Sequence, residues 1–272
     1  MKKVLFLGFL FVFMLMPNVQ GAVLKVGPGQ PYTTIQSAIN AAVTGDTVKV
    51  LPGTYTESIT INKDIVVQGS GYETTKILTN ISPAVVMNGG KIMWFSITST
   101  SGDGIQNTKG FITNCVIAGC GRYGVYFLQN STGSIKNSVI IGNASDGVRG
   151  DYYSGNNSGT ASNCISWNNG GYGYYLIGGV TFSDGTTISV PSRSNVINED
   201  PMFVGDNDFH IPPTSPCFDT GNPVEVDPDG SRSDMGYFGG IDTPVYPIVI
   251  EVNVRPLPNG HTEIKATARA NY

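Results

Sequence analysis

Short apolar runs recur along the middle of the chain, and each occupies the same place in a repeated segment of sequence, here called a line. The clearest line is Ile112-Thr-Asn-Cys-Val-Ile117, which is followed by the pair Gly124-Val125. The runs are rich in β-branched residues and are separated by Gly, Asn and Ser, so they predict strands rather than helices. The equivalent lines are Ile92 to Ile97, Ile135 to Ile140 and Ala161 to Ser166, followed by Gly104, Gly147 and Gly173.

The spacing between the lines predicts the architecture. Successive lines are 20, 23 and 26 residues apart, counted between Trp94, Asn114, Asn137 and Asn163, and the extra residues fall after the Gly. Repeats of this length form solenoids in which each repeat is one turn. The pattern therefore predicts an all-β protein, a parallel β-helix. The Asn column is predicted to be structural, with side-chain amides that hydrogen-bond along the axis at a turn.

Stacking of the turns places equivalent residues in columns, because neighbouring strands lie about 4.8 Å apart. The alternation of side chains along a strand then predicts which columns face the core. The inward columns are Ile105, Val125, Val148, Tyr174 and Asn107, Phe127, Gly150, Leu176. The outward columns are Gln106, Tyr126, Arg149, Tyr175 and, just before the Gly, Asp103, Tyr123, Asp146, Tyr172.

Residues 1–21 have the pattern of a secretory signal peptide. Lys2 and Lys3 precede an apolar run from Val4 to Met16, and a small residue, Gly21, stands before Ala22. The run is too short to span a membrane, and no later stretch is long enough. The protein is therefore predicted to be secreted or held at the cell surface, with no membrane span.

Residues 22–62 are predicted to form an N-terminal cap and the first coil. Within them, Thr34 to Ala42 is predicted to be a short helix with Thr33 or Thr34 as its N-cap. Its apolar face consists of Ile35, Ala38, Ile39 and Ala42. Such a helix covers the open end of a solenoid, which otherwise exposes its core and a sheet edge.

The composition fits a turn-rich β protein with few charges, since the chain has 35 Gly and only 13% charged residues. Without Lys2 and Lys3, 14 basic residues (16 less 2) face 20 acidic ones, a net charge of −6. No basic cluster occurs along the sequence, so nucleic acid is not a predicted partner.

The four cysteines, Cys115, Cys120, Cys164 and Cys217, are predicted to be small buried thiols. Cys115 and Cys164 share a column with Ser138 between them, which puts them ~9.6 Å apart and beyond disulfide reach. Export would permit disulfides, so the state of the four cysteines is left open. No Cys-x-x-Cys pair occurs, and zinc is not predicted.

Both ends of the solenoid carry a family resemblance. Tyr32 to Ala42, Gly45 to Val50 and Pro52 to Tyr55 resemble the opening of the pectin-lyase-like superfamily of right-handed parallel β-helices. Asp200 to Val204, Asp208 to Ile211, Ser215 to Gly221, Asp229 to Arg232 and Asp234 to Gly236 resemble the closing segment of such secreted proteins. The resemblance implies a right-handed parallel β-helix. It leaves activity open, because this superfamily includes lyases, hydrolases, esterases, epimerases, adhesins and inert stalks.

The catalytic signatures of the active members of this superfamily are missing from the sequence. The Gln-Asp and Asp-Phe-Ile-Phe-Gly runs of pectin esterases do not occur, nor do the Asn-Thr-Asp, Asp-Asp and Gly-His-Gly runs of polygalacturonases. The signatures of mannuronan epimerases and pectate lyases are also missing. With only His210 and His261 and no Gly-x-Ser-x-Gly, a hydrolase triad is not supported.

The outward columns combine aromatic rings with carboxylates, which suits a glycan groove. Rings stack on sugar faces, and polar neighbours bond sugar hydroxyl groups. The residues predicted to bind carbohydrate are Asp103, Tyr123, Tyr126, Tyr172 and Tyr175. The alternative is a solvated sheet face on which Tyr side chains pack across turns.

Arg149, with Asp146 and Asp151, is the predicted catalytic set if the protein is an enzyme. A polysaccharide lyase that acts on acidic glycans needs a base and a positive charge near the uronate carboxylate. The alternative is a weak surface ion pair. The missing signatures favour binding of extracellular polysaccharide without catalysis. A structural or adhesive surface module is the third interpretation.

The stretch Asp227-Pro-Asp-Gly-Ser-Arg-Ser-Asp234 predicts a structural Ca²⁺ site. Asp227, Asp229 and Asp234 would supply oxygen ligands at the alternating spacing of a calcium loop, although the closing Glu of an EF-hand is missing. The alternative is an ordinary Asp-Gly turn with Asx hydrogen bonds.

The rest of the chain is predicted to contain three parts. Residues 63–198 form the coils, and residues 199–240 close the exit end of the solenoid. In residues 241–272, two alternating runs flank Asn259-Gly260 and predict a β-hairpin. A hairpin alone is barely stable, so it either packs on the solenoid or begins a further domain that lies C-terminal to this chain.

Overall fold

The computed structural model describes residues 21–150, 159–171, 174–175, 181–182, 200–243, 247–256 and 262–270. In these residues one helix, α1 (Ile35–Ala41), lies among many short strands. The strands are β1 (Val23–Val26), β2 (Thr47–Val50), β3 (Gly53–Tyr55), β4 (Ile59–Ile61), β5 (Val66–Gln68), β6 (Thr75–Thr79), β7 (Val85–Met87), β8 (Lys91–Met93), β9 (Ser96–Ser99), β10 (Ile105–Asn107), β11 (Phe111–Thr113), β12 (Val116–Ala118), β13 (Val125–Phe127), β14 (Ser134–Lys136), β15 (Val139–Ile141), β16 (Val148–Gly150), β17 (Thr160–Ser162), β18 (Ile165–Trp167), β19 (Tyr174–Tyr175), β20 (Thr181–Phe182), β21 (Pro247–Pro256) and β22 (Thr262–Ala270).

Strands β1 to β20 form three parallel sheets, because each turn of the chain contributes one strand to each sheet. Sheet I has the order β1-β2-β5-β8-β11-β14-β17-β20, sheet II β3-β6-β9-β12-β15-β18, and sheet III β4-β7-β10-β13-β16-β19. Ile92 pairs with Ile112, and Ile112 pairs with Ile135, as the aligned lines predict. The predicted parallel β-helix is therefore confirmed.

The predicted inward columns form the core wherever the structure describes them. Ile105, Val125, Val148 and Phe127 have no solvent exposure. Asn107 is also buried in an inward column, and its amide exchanges two hydrogen bonds with the backbone of Gly110. This local pairing removes the cost of burying a polar side chain inside the solenoid. Tyr174 and Leu176 lie outside the residues whose side chains are described.

Helix α1 covers the N-terminal end of this core as predicted. Thr34 is its N-cap, and the Thr34 side chain accepts a hydrogen bond from the Ser37 N–H. The predicted apolar face of the helix is buried in the same cluster as the coils. Two side chains from the first coil bind the helix ends. The Glu57 carboxylate accepts N–H groups of the first turn, and the Lys63 ammonium donates to carbonyls of the last turn.

The Asn column lies at the turn from sheet I to sheet II, where the backbone is left-handed. The φ angles are 67° at Trp94, 46° at Asn114, 48° at Asn137 and 50° at Asn163. Asn tolerates this conformation better than other residues with a Cβ. The Asn114 amide donates to the carbonyls of Tyr237 and Gly239, and the Asn163 carbonyl oxygen accepts from the Asn222 N–H. The column is structural as predicted, but these hydrogen bonds reach the closing segment instead of following the axis.

The closing segment, residues 200–243, packs along the side of the solenoid, which differs from the predicted position at its exit end. Its contacts run from Asn163 back to Tyr72, across several turns. It covers apolar residues on the outer face of sheet II, among them Val116, Val139 and Ile165. Those residues point away from the core because their strand neighbours, such as Ile117, point into it. An apolar outer face needs a cover, and this segment supplies it.

Tyr72 is the centre of the aromatic cluster beneath the closing segment. Its ring contacts those of Phe209, Tyr237 and Phe238, with centroids 5.4, 4.6 and 6.2 Å away. The Tyr72 hydroxyl accepts a hydrogen bond from the Phe209 N–H, and the Tyr237 hydroxyl accepts one from the Tyr72 N–H. The cluster joins the second coil to residues more than 130 positions later in the chain.

The four cysteines are free and buried, so the prediction of buried thiols is confirmed. Burial raises the pKa of each thiol to about 12, which keeps the thiols protonated and unreactive near neutral pH. In the predicted column, the Cys115 N–H donates to the hydroxyl of Ser138 on the next turn.

Strands β21 and β22 form the predicted antiparallel hairpin. The register runs from Pro247 opposite Ala270 to Pro256 opposite Thr262, with an irregularity between Val249 and Glu251. The predicted Asn259-Gly260 turn lies outside the described residues, as does the predicted signal peptide up to Gln20. In the part of the chain that the structure describes, no helix has the length and apolar character needed to cross a bilayer.

Candidate functional site

The outer face of sheet III carries the predicted outward column. Gln106, Tyr126 and Arg149 lie side by side, because the register pairs Gln106 with Tyr126 and Tyr126 with Arg149. All three residues are half-buried, so part of each side chain reaches solvent. The outward position of these three residues is confirmed.

Asp103 lies beside this face, but the prediction that it points outward is wrong. It is fully buried. Its carboxylate accepts hydrogen bonds from Arg122 Nε at 2.6 Å, from Arg122 Nη2 and from Gln106 Nε2 at 2.9 Å. A buried carboxylate needs such partners, because it has lost its hydration. Asp103 therefore holds two surface side chains in place, and its own oxygens face the protein.

Asp146 repeats this arrangement two turns further on, and its predicted outward position is wrong for the same reason. It is 4% exposed, and its Oδ2 accepts a hydrogen bond from Arg149 Nη1 at 3.0 Å. The side chain of Arg149 is 28% exposed. The guanidinium group thus reaches the surface while the carboxylate that holds it does not.

Arg122 is a candidate residue that the column pattern does not reveal. Arg122 immediately precedes Tyr123 in the sequence and belongs to neither of the predicted outward columns. Its spacing of 19 residues from Asp103 is close to one turn, which places the two residues on neighbouring turns. The hydrogen bonds with Asp103 raise the pKa of Arg122, whose side chain is 48% exposed.

Tyr123 contacts both arginines. The Cζ atoms of Arg122 and Arg149 lie 4.8 and 5.4 Å from the centroid of its ring. The rings of Tyr123 and Tyr126 are 5.5 Å apart and inclined at 57°, and Arg122 Cζ is 5.8 Å from the Tyr126 centroid. Cation–π and tilted ring contacts of this kind hold side chains in fixed orientations. We name Arg122, Tyr123, Tyr126 and Arg149 the Tyr–Arg platform.

The charges of the platform cancel. The guanidinium of Arg122 is paired with Asp103, and that of Arg149 with Asp146. Within the described residues, the surface therefore presents aromatic rings and N–H donors without a local excess of either charge. Such a surface suits hydroxyl-rich ligands, because rings offer apolar contact and guanidinium groups offer several donors.

Three residues of the predicted site have no described side chain. Asp151 and Tyr172 lie outside the described residues. The backbone of Tyr175 pairs with Arg149 in sheet III, which extends the column by one turn, while its side chain is outside the description. The contribution of these residues to carbohydrate binding or catalysis stays a prediction.

The carboxylates of the predicted calcium loop bind backbone N–H groups. Asp227 accepts from Asp234 N at 2.8 Å and Gly240 N at 2.5 Å, and Asp234 accepts from Asp219 N at 2.7 Å. Asp229 is exposed and accepts from Ser231. Among the described residues no three acidic, His or Cys side chains converge as metal ligands. The loop as it stands does not fit Ca²⁺, and the calcium site stays a prediction.

Burial and like charges raise the pKa values of two of these carboxyl groups. Burial, with Asp227 and Asp219 nearby, raises the pKa of Asp234 to about 7. Burial also raises the pKa of Asp227, against the hydrogen bonds from Asp234 and Gly240. Desolvation disfavours the ionised form of a carboxyl group, and neighbouring negative charges add to the effect. The stability that the closing segment gives the fold should therefore change with pH, between the ordinary pKa range of Asp and neutral pH.

Solved structures similar to this chain include two of pectin methylesterase from Aspergillus niger. The form with an N-acetylglucosamine stub is 16% identical, covers 60% of this chain and 81% of its own, and has a TM-score of 0.41. The deglycosylated form is 17% identical, with 59% and 75% coverage and a TM-score of 0.41. A PL6 family polysaccharide lyase from Pseudopedobacter saltans is 16% identical, with 63% and 44% coverage and a TM-score of 0.36. Similarity this low carries no statement about activity.

A comparison with protein-family models identifies the family of this chain, whereas a comparison with curated proteins does not. No curated protein matches the sequence. Residues 58–200, which are 143 of the 272, match the family described as Right handed beta helix region. The matched range holds the coils whose register was described above, and it agrees with the resemblance to the pectin-lyase-like superfamily. This chain belongs to the right-handed β-helix family.

Proposed function

We propose that the protein is exported and binds extracellular polysaccharide through the Tyr–Arg platform, without catalysis of its own. The observation that carries this proposal is the pair of tyrosine rings that two guanidinium groups contact, each guanidinium being held by a buried carboxylate. Side chains that are fixed before binding lose little conformational entropy when a ligand arrives. Tyr and Arg are also the residue types that concentrate binding energy at recognition surfaces.

The contacts within the platform assign different roles to its two rings. Both arginines lie near the ring of Tyr123, so that ring supports the guanidinium groups. Arg122 Cζ lies farther from the ring of Tyr126, 5.8 Å from its centroid, and Tyr126 is assigned as the ring that stacks on a sugar. The exposed part of Arg122 donates N–H groups to sugar hydroxyls.

The position of Asp146 favours binding over a polysaccharide lyase. A catalytic base has to come within hydrogen-bond distance of the proton that it removes. Asp146 is 4% exposed and already binds Arg149. The lyase alternative would therefore depend on Asp151, which the structure does not describe. A structural or adhesive surface module remains compatible with the same platform, because it too needs exposed rings.

Affinity electrophoresis against a panel of neutral and acidic polysaccharides tests the proposal. Tyr126→Ala should weaken binding about fivefold, since a stacking contact contributes on the order of 1 kcal/mol. Thr60→Ala is the matched control, because Thr60 lies in the same outward column three strands away. Unchanged binding by Tyr126→Ala and Arg122→Ala, beside a wild type that binds, would contradict the assigned face.

The same samples separate binding from catalysis. Elimination leaves an unsaturated sugar that absorbs in the ultraviolet, whereas binding leaves the polysaccharide intact. In a lyase, Arg149→Ala would lower turnover and spare binding, because the lost charge acts mainly in the transition state. We expect no unsaturated product with the wild-type protein.

A further inference from the structure

The outer face of sheet I carries an exposed aromatic ring. Phe111, the first residue of β11, is 56% exposed. Its partners across the sheet are Lys91 on one side and Ser134 on the other. Burial of an exposed phenyl ring by a ligand is favourable, and here polar residues flank the ring.

Two hollows meet at this ring. A cavity of about 300 Å³ lies at the turn from sheet III to sheet I, and its lining includes Asn62, Lys63, Asp64, Asn88, Lys109 and Phe111. A smaller hollow of about 180 Å³ is also lined by Phe111, together with Ser134 and Lys136. The volume of the larger cavity is at the lower end of the range for small-molecule pockets, and it suits a single sugar unit.

Lysines from several turns gather along these hollows, although no basic cluster occurs along the sequence. The members are Lys63, Lys91, Lys109 and Lys136. Three of them have partners: Lys63 donates to carbonyls of helix α1, Lys91 pairs with Asp242 and Lys136 pairs with Glu225. Lys109 is exposed and has no ion pair within the described residues.

We propose that Phe111 and Lys109 form a second carbohydrate subsite, selective for a sugar that bears a carboxylate or sulfate group. The sugar ring stacks on Phe111, and its anionic group binds the Lys109 ammonium. The side-chain amides of Asn62 and Asn88 reach the hydroxyl groups from the wall of the cavity. This site goes beyond the proposed function, because it uses another sheet. Its ammonium also gives it a preference for anionic sugars, which the neutral Tyr–Arg platform does not have.

Calorimetry with oligogalacturonate and with its methyl ester tests this subsite, because the two probes differ in charge and share a backbone. Lys109→Gln should lower the affinity for oligogalacturonate about tenfold and leave that for the methyl ester unchanged. Phe111→Ala should weaken both. Added salt should weaken only the binding of the acid. A sulfated oligosaccharide, run in parallel, shows whether sulfate serves equally well.

Matched controls lie elsewhere on the surface. Lys49→Gln removes another exposed lysine from sheet I, and Leu78→Ala another exposed apolar residue, from sheet II. Both should bind like the wild type. The subsite is overturned if Lys109→Gln binds like Lys49→Gln, if none of the anionic probes binds, or if Phe111→Ala alters only the oligomeric state. Loss of binding in Tyr126→Ala alone would overturn the subsite and leave the proposed function standing.

Discussion

The side-chain amide of Asn114 donates hydrogen bonds to the backbone carbonyls of Tyr237, at 2.7 Å, and Gly239, at 3.1 Å. Asn114 is fully buried and has a φ of 46°, so one residue both turns the coil and holds the closing segment. The two roles are separable by substitution, because glycine accepts the left-handed conformation and alanine does not.

Asn114→Gly should lower the free energy of unfolding by about 1 to 3 kcal/mol, because it leaves two buried carbonyls without their donor. Asn114→Ala should cost about 1 kcal/mol more, because a Cβ disfavours the positive φ. Urea unfolding measures both values. Equal costs for the two variants would mean that the backbone conformation relaxes, and no cost for Asn114→Gly would mean that the contact with Tyr237 contributes nothing.

The buried carboxyl group of Asp234 predicts a loss of stability as the pH rises. Its pKa in the folded protein, about 7, lies above the ordinary value of 3.8, so folding favours the protonated form. The stability that this group contributes is complete below about pH 4 and is lost as the pH rises through 7. The loss should be about 4 kcal/mol, because the two pKa values differ by about 3 units.

Melting temperatures measured from pH 4 to pH 8 test this titration. Asp234→Asn keeps an oxygen that accepts from Asp219 N and removes the ionisation, so its profile should be flatter. Asp229→Asn is the control: the hydrogen bonds from Ser231 lower the pKa of this exposed group, so its small contribution has the opposite sign. An unchanged profile in Asp234→Asn would show that another group titrates.

Helix α1 should depend on the two charged side chains at its ends. Glu57→Ala removes the acceptor of the Ile35 and Gln36 N–H groups and should cost about 1 kcal/mol. Glu57→Gln keeps one acceptor oxygen and should cost about half as much. Lys63→Met keeps the aliphatic stem and loses three hydrogen bonds to helix carbonyls. Chemical denaturation measures all three. A Glu57→Ala variant as stable as the wild type would show that the helix needs no such cap.

Arg122 and Asp103 should show strong coupling. Arg122→Met leaves a buried carboxylate without its bidentate partner and should cost about 2 kcal/mol or more. The double variant Asp103→Leu with Arg122→Met should be more stable than the single variant, because it buries no unpaired charge. A double-mutant cycle on unfolding free energies gives the coupling. If the costs of the two single substitutions simply add in the double variant, the two side chains are not coupled, and water would have to hydrate Asp103.

Chelation tests the predicted calcium site in the closing segment. A ligand that binds only the native state raises its melting temperature, so removal of bound Ca²⁺ would lower it. Asp227 and Asp234 already accept N–H groups from the backbone, and we therefore expect the same melting temperature with chelator, with added Ca²⁺ and with neither. A rise with Ca²⁺ that Asp229→Asn abolishes would restore the site.

The sequence by itself determined the solenoid. The spacing of 20, 23 and 26 residues aligned the turns in the register that the strands adopt, from Ile92 through Ile112 to Ile135. The alternation of side chains predicted the buried columns, and the pair Thr33-Thr34 marked the start of the helix, where Thr34 is the N-cap. These features are local or periodic, and a one-residue slip in register would expose an entire buried column, so short patterns suffice to specify them.

Only the tertiary structure decided what covers the solenoid and which charges meet. Asp103 and Asp146 share a column with tyrosines, but they turn inward because Arg122 and Arg149 reach them from neighbouring positions. The closing segment lies along sheet II, because outward apolar residues there need a cover. Asn62 and Asn88 meet Lys109 and Phe111 at one cavity through the stacking of turns. Contacts between side chains far apart in the chain follow from geometry that no local pattern records.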